Sequence, residues 1–117
     1  NCNDLITDDF LVHFVAIPTE KDGKPCGCGA FAIKSTYGEL KSIYVDEKSR
    51  GNGIGELITT DLEIEAKKLS LTELYLETGG NLLPAINLYK KLGFKECGPF
   101  GEYKESPNSF FMFKKLA

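Results

Sequence analysis

Three glycines and one arginine stand together in residues 50–55 (RGNGIG), between a β-branched segment and a long helical pattern. A glycine-rich turn at the start of a helix exposes successive backbone N–H groups at the positive end of the helix dipole, where phosphate groups bind. Glycine has no Cβ, so a ligand can approach the backbone closely, and Arg50 can hydrogen-bond to the same anion. The segment therefore predicts a phosphate or pyrophosphate site.

Two well-known phosphate-binding turns do not fit this segment. A P-loop requires lysine and then serine or threonine after its last glycine, whereas Gly55 is followed by Glu56 and Leu57. A Rossmann fingerprint requires its third glycine at the position of Glu56. From this segment alone, two alternatives stay open: a nucleotide phosphate bound in another way, and a structural turn that binds no ligand.

The segments on either side of the turn predict a mixture of strands and helices. Apolar residues recur at three- and four-residue spacing at positions 54, 57, 58, 62, 66 and 69, which indicates an amphipathic helix. Pro84 and Gly93 mark the start and the left-handed end of a shorter helix. Strands are predicted at residues 10–17, 29–34, 39–45, 72–78, 94–97 and 109–116, with turns at 21–24 and 37–38. The order β-β-β-α-β-α-β-β predicts an α/β (α+β) fold with a mixed sheet.

Composition is that of an ordinary globular protein, and we expect one domain over residues 1–117. The net charge is −3 and the lysines form no basic stripe, which disfavours nucleic acid as a partner. No apolar run approaches the roughly 20 residues of a transmembrane helix, and no signal peptide is recognisable, so we expect a cytoplasmic protein without membrane attachment. The four cysteines have no second closely spaced pair and no nearby histidine, which disfavours a metal site and predicts free thiols.

Two motifs, in this order, resemble the signatures of the GNAT superfamily of acyl-CoA-dependent N-acetyltransferases. In the first, a strand end at residues 43–45 and a polar loop precede Arg50, Gly53 and Gly55, at the spacing of the acyl-CoA-binding motif. In the second, residues 85–94 (AINLYKKLGF) match alanine, three residues, tyrosine, three residues, glycine and phenylalanine. The similarity covers about residues 10–116.

The resemblance implies an enzyme that transfers acetyl from acetyl-CoA, without a metal, to a primary amine of a small molecule or peptide. The amine would attack directly in a ternary complex. The implied fold is a mixed, mainly antiparallel sheet with helices on both faces, in which strand 39–45 carries a bulge and splays from strand 72–78 to admit pantetheine. The positions implied to bind the coenzyme are Ile43, Tyr44, Val45, Arg50, Gly51, Asn52, Gly53, Ile54, Gly55, Glu56, Asn87 and Tyr89.

The resemblance also implies catalytic roles. Tyr89 matches the tyrosine beside the coenzyme's sulfur, where a phenol can protonate the leaving thiolate; the alternative is a tyrosine that only packs on its helix face. Glu39, eleven residues before Arg50, matches the placement of a glutamate base, and Glu77 on the other splayed strand is the second candidate. Each glutamate has the alternative of a solvated strand residue. The backbone N–H of Tyr44 would polarise the thioester carbonyl.

Three further expectations concern the ends of the chain. Family members normally begin with a strand and one or two helices, so we expect an N-terminally short domain, and the alternative function is a catalytically weak or inactive CoA-binding or protein-interaction module. The apolar segment 110–113 is a candidate strand for a homodimer sheet. Residues 99–103 (PFGEY), with Pro107 and Ser109, resemble the same segment in a subgroup of uncharacterised bacterial-type members.

Overall fold

The computed structural model describes residues 12–18, 25–34 and 36–116 of the chain. The predicted turn at 21–24 and the start of the first predicted strand, residues 10–11, lie outside them. A 3-10 helix, Glu47–Ser49, occupies the predicted polar loop before the glycine turn. Within the described ranges the order predicted from the sequence is confirmed, with these bounds: β1 Val12–Pro18, β2 Pro25–Lys34, β3 Tyr37–Val45, α1 Ile54–Lys68, β4 Glu73–Gly79, α2 Leu83–Lys91, β5 Lys95–Cys97 and β6 Ser109–Lys115.

The strands form one sheet in the order β1-β2-β3-β4-β6-β5. The pair β3–β4 is parallel, and the other neighbouring pairs are antiparallel. A parallel pair needs a crossover connection, and α1 supplies it. The mixed, mainly antiparallel sheet is thus confirmed, as is the hairpin of β1 and β2.

The strands β3 and β4 are paired at one end only. Their register ends at the pair Glu39 and Tyr75, and the described residues form no pairing between the two strands beyond it. The strand β3 also has one extra residue relative to β2 between Lys41 and Tyr44, which is a bulge that bends the strand. The two strands therefore diverge into a wedge, as the resemblance implies.

Both described helices lie on one face of the sheet, which we call the helix face. Leu62 of α1 approaches Gly29 of β2, while Lys114 of β6 donates to the Glu63 carboxylate on α1 and to the Leu92 carbonyl after α2, at 3.0 and 2.8 Å. The expectation of helices on both faces is not met within the described part of the chain. Neither of the two described helices is long and apolar enough to cross a membrane. The opposite face, which we call the aromatic face, carries the ring cluster Tyr37, Tyr75, Phe100, Tyr103, Phe111 and Phe113.

The predicted turn at Tyr37 and Gly38 is wrong, because both residues lie inside β3. A Cβ on Gly38 would lie 2.9 Å from Leu74 Cδ2. This glycine therefore permits close packing of β3 on the core, and close approach of a neighbouring segment is a common reason for glycine within a strand. The buried core that it faces contains Phe31, Leu40, Ile58, Leu62, Ala66, Leu71, Leu74, Leu76, Tyr89, Phe94 and Met112.

The last strand is not at the edge of the sheet. The strand β6 pairs with β4 along its length and with β5 at residues 111–113. A strand that is covered on both sides has no free backbone groups to offer to a second subunit. The expectation that residues 110–113 join a dimer sheet is therefore wrong for residues 111–113, which are paired on both sides.

Among the described cysteines, the prediction of free thiols fails at Cys28. Cys97 has a free thiol, whereas Cys28, fully buried in β2, is disulfide-bonded. Disulfide formation depends on the distance between Cα atoms in the folded chain, which the spacing of cysteines along a sequence does not reveal.

Candidate active site

The glycine turn, residues 50–55, has a backbone conformation that requires glycine at two positions. Gly51 and Gly53 have φ of 83° and 77°, which is the left-handed region that L side chains rarely adopt. Gly53 is the N-cap of α1, and its carbonyl accepts a hydrogen bond from the Leu57 N–H at 3.0 Å. A Cβ on either glycine would meet nothing within 4 Å. The turn is therefore open on the side from which a ligand would approach.

Two side chains hold this turn in place. Arg50 Nε donates to the Val45 carbonyl at 3.1 Å, which ties the turn to the end of β3. The terminal N–H groups of the guanidinium remain for an anion. Asn52 Nδ2 donates to the Ser49 carbonyl at 3.0 Å. Together with the first N–H groups of α1, which have no partner inside the helix, Arg50 makes this turn an anion site.

A groove of about 570 Å³ runs from the glycine turn along the end of β3 to α2. The predicted coenzyme-binding residues that line it are Ile43, Tyr44, Val45, Arg50, Gly51, Gly53, Ile54, Gly55, Glu56 and Tyr89. Asn52 and Asn87 are not among the lining residues: the Asn52 amide donates to a carbonyl of its own turn, and Asn87 is an exposed residue of α2. The lining also includes Pro84, Ala85, Leu88 and Lys91, which were not predicted to bind. Three of these, Ala85, Leu88 and Lys91, belong to the second motif, so its helical spacing was the signal that could have identified them.

The second motif forms the C-terminal cap that orients Tyr89. Gly93 has φ of 95°, its N–H donates to the Lys90 carbonyl at 3.1 Å, and the Phe94 N–H donates to the Tyr89 carbonyl at 2.9 Å. These two hydrogen bonds define a Schellman motif, in which a left-handed glycine ends the helix. The Tyr89 and Phe94 rings make the accompanying apolar contact, with centroids 5.6 Å apart. The spacing Tyr-x3-Gly-Phe is therefore the spacing of a helix end.

Tyr89 belongs both to the core and to the site. Its side chain is 9% exposed and packs in the core cluster, so the alternative of a packed tyrosine describes its ring correctly. The same residue lines the groove and also the wedge cavity described next. Burial raises the pKa of the Tyr89 phenol to about 12, because a phenolate loses its hydration there. The phenol is therefore protonated at neutral pH.

A cavity of about 230 Å³ occupies the wedge between β3 and β4. Ile43, Ala85 and Tyr89 line both this wedge cavity and the groove. At its other side the wedge cavity is lined by Lys41 and Glu77. The splayed strands thus leave a cavity in the sheet that adjoins the groove on the helix face.

A third cavity, of about 510 Å³, lies on the aromatic face. It is lined by Lys34, Tyr37, Glu39, Lys41, Gly101, Glu102 and Tyr103. Lys41 lines this cavity and the wedge cavity as well. The wedge cavity therefore shares lining residues with the groove on the helix face and with the aromatic-face cavity that contains Glu39.

Glu39 lies in the aromatic-face cavity with one hydrogen-bond donor and one ion-pair partner. Its side chain belongs to a residue that is 5% exposed. Tyr103 Oη donates to Glu39 Oε2 at 2.6 Å, and Lys41 Nζ lies 3.2 Å from the same oxygen. Such partners offset the hydration that a carboxylate loses on burial. Glu39 is therefore a buried carboxylate fixed by these contacts, and the alternative interpretation of a solvated strand residue does not describe it.

Similarity to known proteins assigns the family. A family model described as the acetyltransferase (GNAT) family matches residues 2–94. The chain belongs to the GNAT acetyltransferase family. It is 43% identical over 98 residues to the IAA acetyltransferase of Azospirillum brasilense and 39% identical over 93 residues to the uncharacterised N-acetyltransferase YsnE of Bacillus subtilis. These alignments cover 82% and 77% of this chain. The chain spans 64% and 62% of the lengths of the two relatives.

Solved structures share the fold of this GNAT chain. A crystal structure of a candidate acyl-CoA N-acyltransferase from Klebsiella pneumoniae matches with a TM-score of 0.87 at 36% identity, over 91% of this chain and 73% of that chain. The PaiA N-acetyltransferase of Thermoplasma acidophilum, solved in complex with coenzyme A, matches with a TM-score of 0.77 at 23% identity, over 89% of this chain and 60% of that chain. At that lower identity, the second match shows the fold alone.

The residues that hold the two candidate carboxylates of this GNAT chain were missed by sequence reasoning. Besides the Tyr103 contact with Glu39, Ser109 Oγ donates to Glu77 Oε2 at 2.8 Å. Tyr103 and Ser109 both belong to the segment that resembles the bacterial-type subgroup, and that likeness was the available signal. Among the described residues no group of three or more histidine, cysteine, aspartate or glutamate side chains could hold a metal ion.

Proposed function

We propose that this chain is an N-acetyltransferase domain that transfers acetyl from acetyl-CoA to a primary amine in a ternary complex. The observation that supports this most strongly is that neighbouring cavities with shared lining residues lie at the glycine turn, in the wedge and at Glu39. In the proposed complex the coenzyme lies in the groove on the helix face and the amine approaches from the aromatic face. Relatives named IAA acetyltransferase and N-acetyltransferase, and a fold neighbour solved with coenzyme A, agree with this proposal.

The groove has the chemistry to hold coenzyme A. Its turn end offers helix N–H groups and Arg50 to the pyrophosphate. Its middle is apolar, with Ile43, Ala85 and Leu88, which suits the aliphatic parts of pantetheine. The unpaired end of β3 at Ile43 to Val45 leaves backbone groups to which the pantetheine amides can hydrogen-bond. Glu56 also lines the groove, but its charge is paired with Lys91 at 3.3 Å.

We assign complementary proton transfers to Glu39 and Tyr89. Glu39 takes the proton that the amine loses as its nitrogen bonds to the acetyl carbonyl carbon, directly or through one water molecule. As the bond between that carbon and sulfur breaks, the Tyr89 phenol gives a proton to the thiolate. Glu39 then loses its proton to solvent and Tyr89 regains one. The backbone N–H of Tyr44 is the candidate donor to the carbonyl oxygen, and Glu77, which lines the wedge cavity, is the second candidate base.

The first experiment is acetyl-CoA binding by calorimetry to the protein and to Gly53→Glu. The glutamate would put both bulk and negative charge into the open turn, and we expect binding to be lost. Gly98→Glu is the matched control, because Gly98 is a loop glycine whose added Cβ would meet nothing within 4 Å. Gly53→Ala separates the strain of a side chain at positive φ from the effect of the charge. Equal binding by all four proteins would contradict the assignment of the groove.

Turnover is then measured as amine-dependent release of thiol from acetyl-CoA. The panel contains 2-phenylethylamine, a linear alkylamine, glycine and a short peptide with a free N-terminus. Acetylation of any member supports the enzyme. Binding of acetyl-CoA without turnover for any member would favour the CoA-binding or protein-interaction module. Displacement of acetyl-CoA by ATP as readily as by coenzyme A would favour a nucleotide-phosphate binder instead.

A further inference from the structure

The loop between β5 and β6 holds both candidate carboxylates of the site. Tyr103 donates to Glu39 at 2.6 Å, and Ser109, where the loop enters β6, donates to Glu77 at 2.8 Å. Glu39 and Glu77 lie on two strands that splay apart, so neither strand alone fixes the geometry of both side chains. The loop therefore connects the two sides of the wedge.

The sequence of the loop explains how Tyr103 reaches Glu39. The Tyr103 N–H donates to the Phe100 carbonyl at 3.1 Å, which closes a tight turn. Gly101 inside that turn has φ of 58°, and a Cβ there would lie 3.3 Å from Tyr37 Oη. Glycine at this position thus serves both the turn and the close approach of the loop to β3.

Aromatic packing then fixes the ring of Tyr103. Its centroid lies 5.0 Å from that of Phe100 and 5.5 Å from that of Phe111 on β6. Phe100 in turn packs on Tyr75 of β4, with centroids 4.9 Å apart. Aromatic pairs at these separations add stability beyond their buried area. The Tyr103 hydroxyl is therefore presented to Glu39 by a rigid support that spans β4 and β6.

The contacts from Tyr103 and Lys41 use one of the two oxygens of the Glu39 carboxylate and leave the other accessible. Both contacts that the described residues make with the Glu39 carboxylate, from Tyr103 and from Lys41, fall on Oε2. Oε1 is consequently the oxygen with capacity for a proton from the amine. Glu39 also raises the pKa of the Tyr103 phenol, by hydrogen bond and by charge, after the larger contribution of burial. The phenol thus stays protonated and keeps its role as the donor.

We propose that Tyr103 is a positioning residue that fixes the Glu39 carboxylate for proton transfer, acting through the Glu39 Oε2 contact and not on the substrate. This inference rests on the proposed function, in which Glu39 is the base. It assigns a role to the segment 99–103, whose residues Phe100, Gly101 and Tyr103 form the turn and its packing.

Four proteins test it: the parent, Tyr103→Phe, Glu39→Gln and the double variant. Tyr103→Phe keeps the ring and removes only the hydroxyl. We expect kcat to fall about 10-fold in Tyr103→Phe, with the KM for acetyl-CoA unchanged. The assay uses the member of the amine panel that is acetylated fastest. In the Glu39→Gln background, the same substitution should cause no further loss, because residues that act as one unit are not additive.

A titration that needs no turnover accompanies the kinetics. The Tyr103 phenol is followed by NMR of protein labelled with 13C at tyrosine Cζ, and Tyr103→Phe identifies its signal. Glu39→Gln is expected to lower the pKa of Tyr103 more than Glu77→Gln does, because Glu39 acts by hydrogen bond and by charge whereas Glu77 makes a smaller contribution, by charge alone. An unchanged Tyr103 titration in Glu39→Gln, or an equal loss of kcat on Tyr103→Phe in both backgrounds, overturns the proposal. A parent protein that fails to bind acetyl-CoA while Glu39→Gln still shifts Tyr103 would instead overturn the proposed function.

Discussion

The Tyr89 ring meets the Phe94 ring edge-on, with centroids 5.6 Å apart, and the Tyr89 carbonyl accepts the Phe94 N–H at 2.9 Å. One local cap thus fixes both the backbone and the side chain of the proposed acid. Since the cap lies within six consecutive residues, a sequence motif is able to specify it. Tyr89 therefore links the cap at the end of α2 to the proposed proton transfer in the groove.

Replacing Tyr89 by phenylalanine separates these two roles. Tyr89→Phe keeps the ring contact with Phe94, so we expect the free energy of unfolding at neutral pH to change by less than about 0.5 kcal/mol. It removes the proton donor, and we expect kcat to fall about 100-fold with little change in acetyl-CoA affinity. The measurements are steady-state kinetics with an accepted amine and calorimetry. A variant with unchanged kcat would show that Tyr89 serves packing alone.

The phenol of Tyr89 also predicts a pH dependence of stability. Its pKa is raised from 10.0 to about 12 in the folded protein, so between these values the unfolded chain loses this proton and the folded chain keeps it. Stability from this group is therefore complete below pH 10 and is lost as pH rises towards 12, by about 2–3 kcal/mol. Urea unfolding across this range should show a smaller loss in Tyr89→Phe than in the parent. Equal losses would mean that Tyr89 does not contribute.

The end of α1 offers a stabilising substitution. Ser70 has φ of 62°, its N–H donates to the Lys67 carbonyl at 3.0 Å, and the Leu71 N–H donates to the Ala66 carbonyl at 3.1 Å. This is a second Schellman motif, with serine where glycine is preferred. Ser70→Gly should raise the free energy of unfolding by about 0.5–1 kcal/mol, measured in urea. Gly93→Ser makes the opposite substitution, glycine to serine, at the end of α2, and it should lower the free energy of unfolding by a similar amount.

Local patterns predicted much of the fold. The helix starting at Ile54 and the left-handed end at Gly93 follow from apolar spacing and from the conformational freedom of glycine, and both are confirmed. Errors arose where the outcome depends on contacts between distant segments. Leu74 fills the space that a side chain at position 38 would need, so glycine is required there. The position of β6 inside the sheet depends on its pairing with β5. Neither contact can be read from nearby residues.

The candidate site also contains residues that local patterns predict and residues that depend on contacts between distant segments. The glycine turn and Tyr89 were predicted because each lies within one short motif. Tyr103 was missed because its partner Glu39 is 64 residues away in the sequence. The coenzyme contact of Asn52 stays a prediction, and its side-chain amide donates to the Ser49 carbonyl, since asparagine can satisfy a turn as well as a ligand. Spacing identified the position of a residue in the motif, but not the direction of its side chain.

Lys114 provides a last test, because it joins both helices to the sheet. Its Nζ lies 2.9 Å from Glu63 Oε1 on α1 and 2.8 Å from the Leu92 carbonyl after α2. Lys114→Met keeps the aliphatic stem and removes these contacts, which leaves two partly buried acceptors without this donor. We expect a loss of roughly 1–3 kcal/mol in the free energy of unfolding. Lys68→Met is the matched control: it breaks an exposed pair with Glu65 at 3.2 Å, and such pairs contribute about 0.5 kcal/mol or less. Urea unfolding of both variants compares them directly. Equal losses would mean that Lys114 acts as an ordinary surface lysine and that apolar packing alone holds the helices on the sheet.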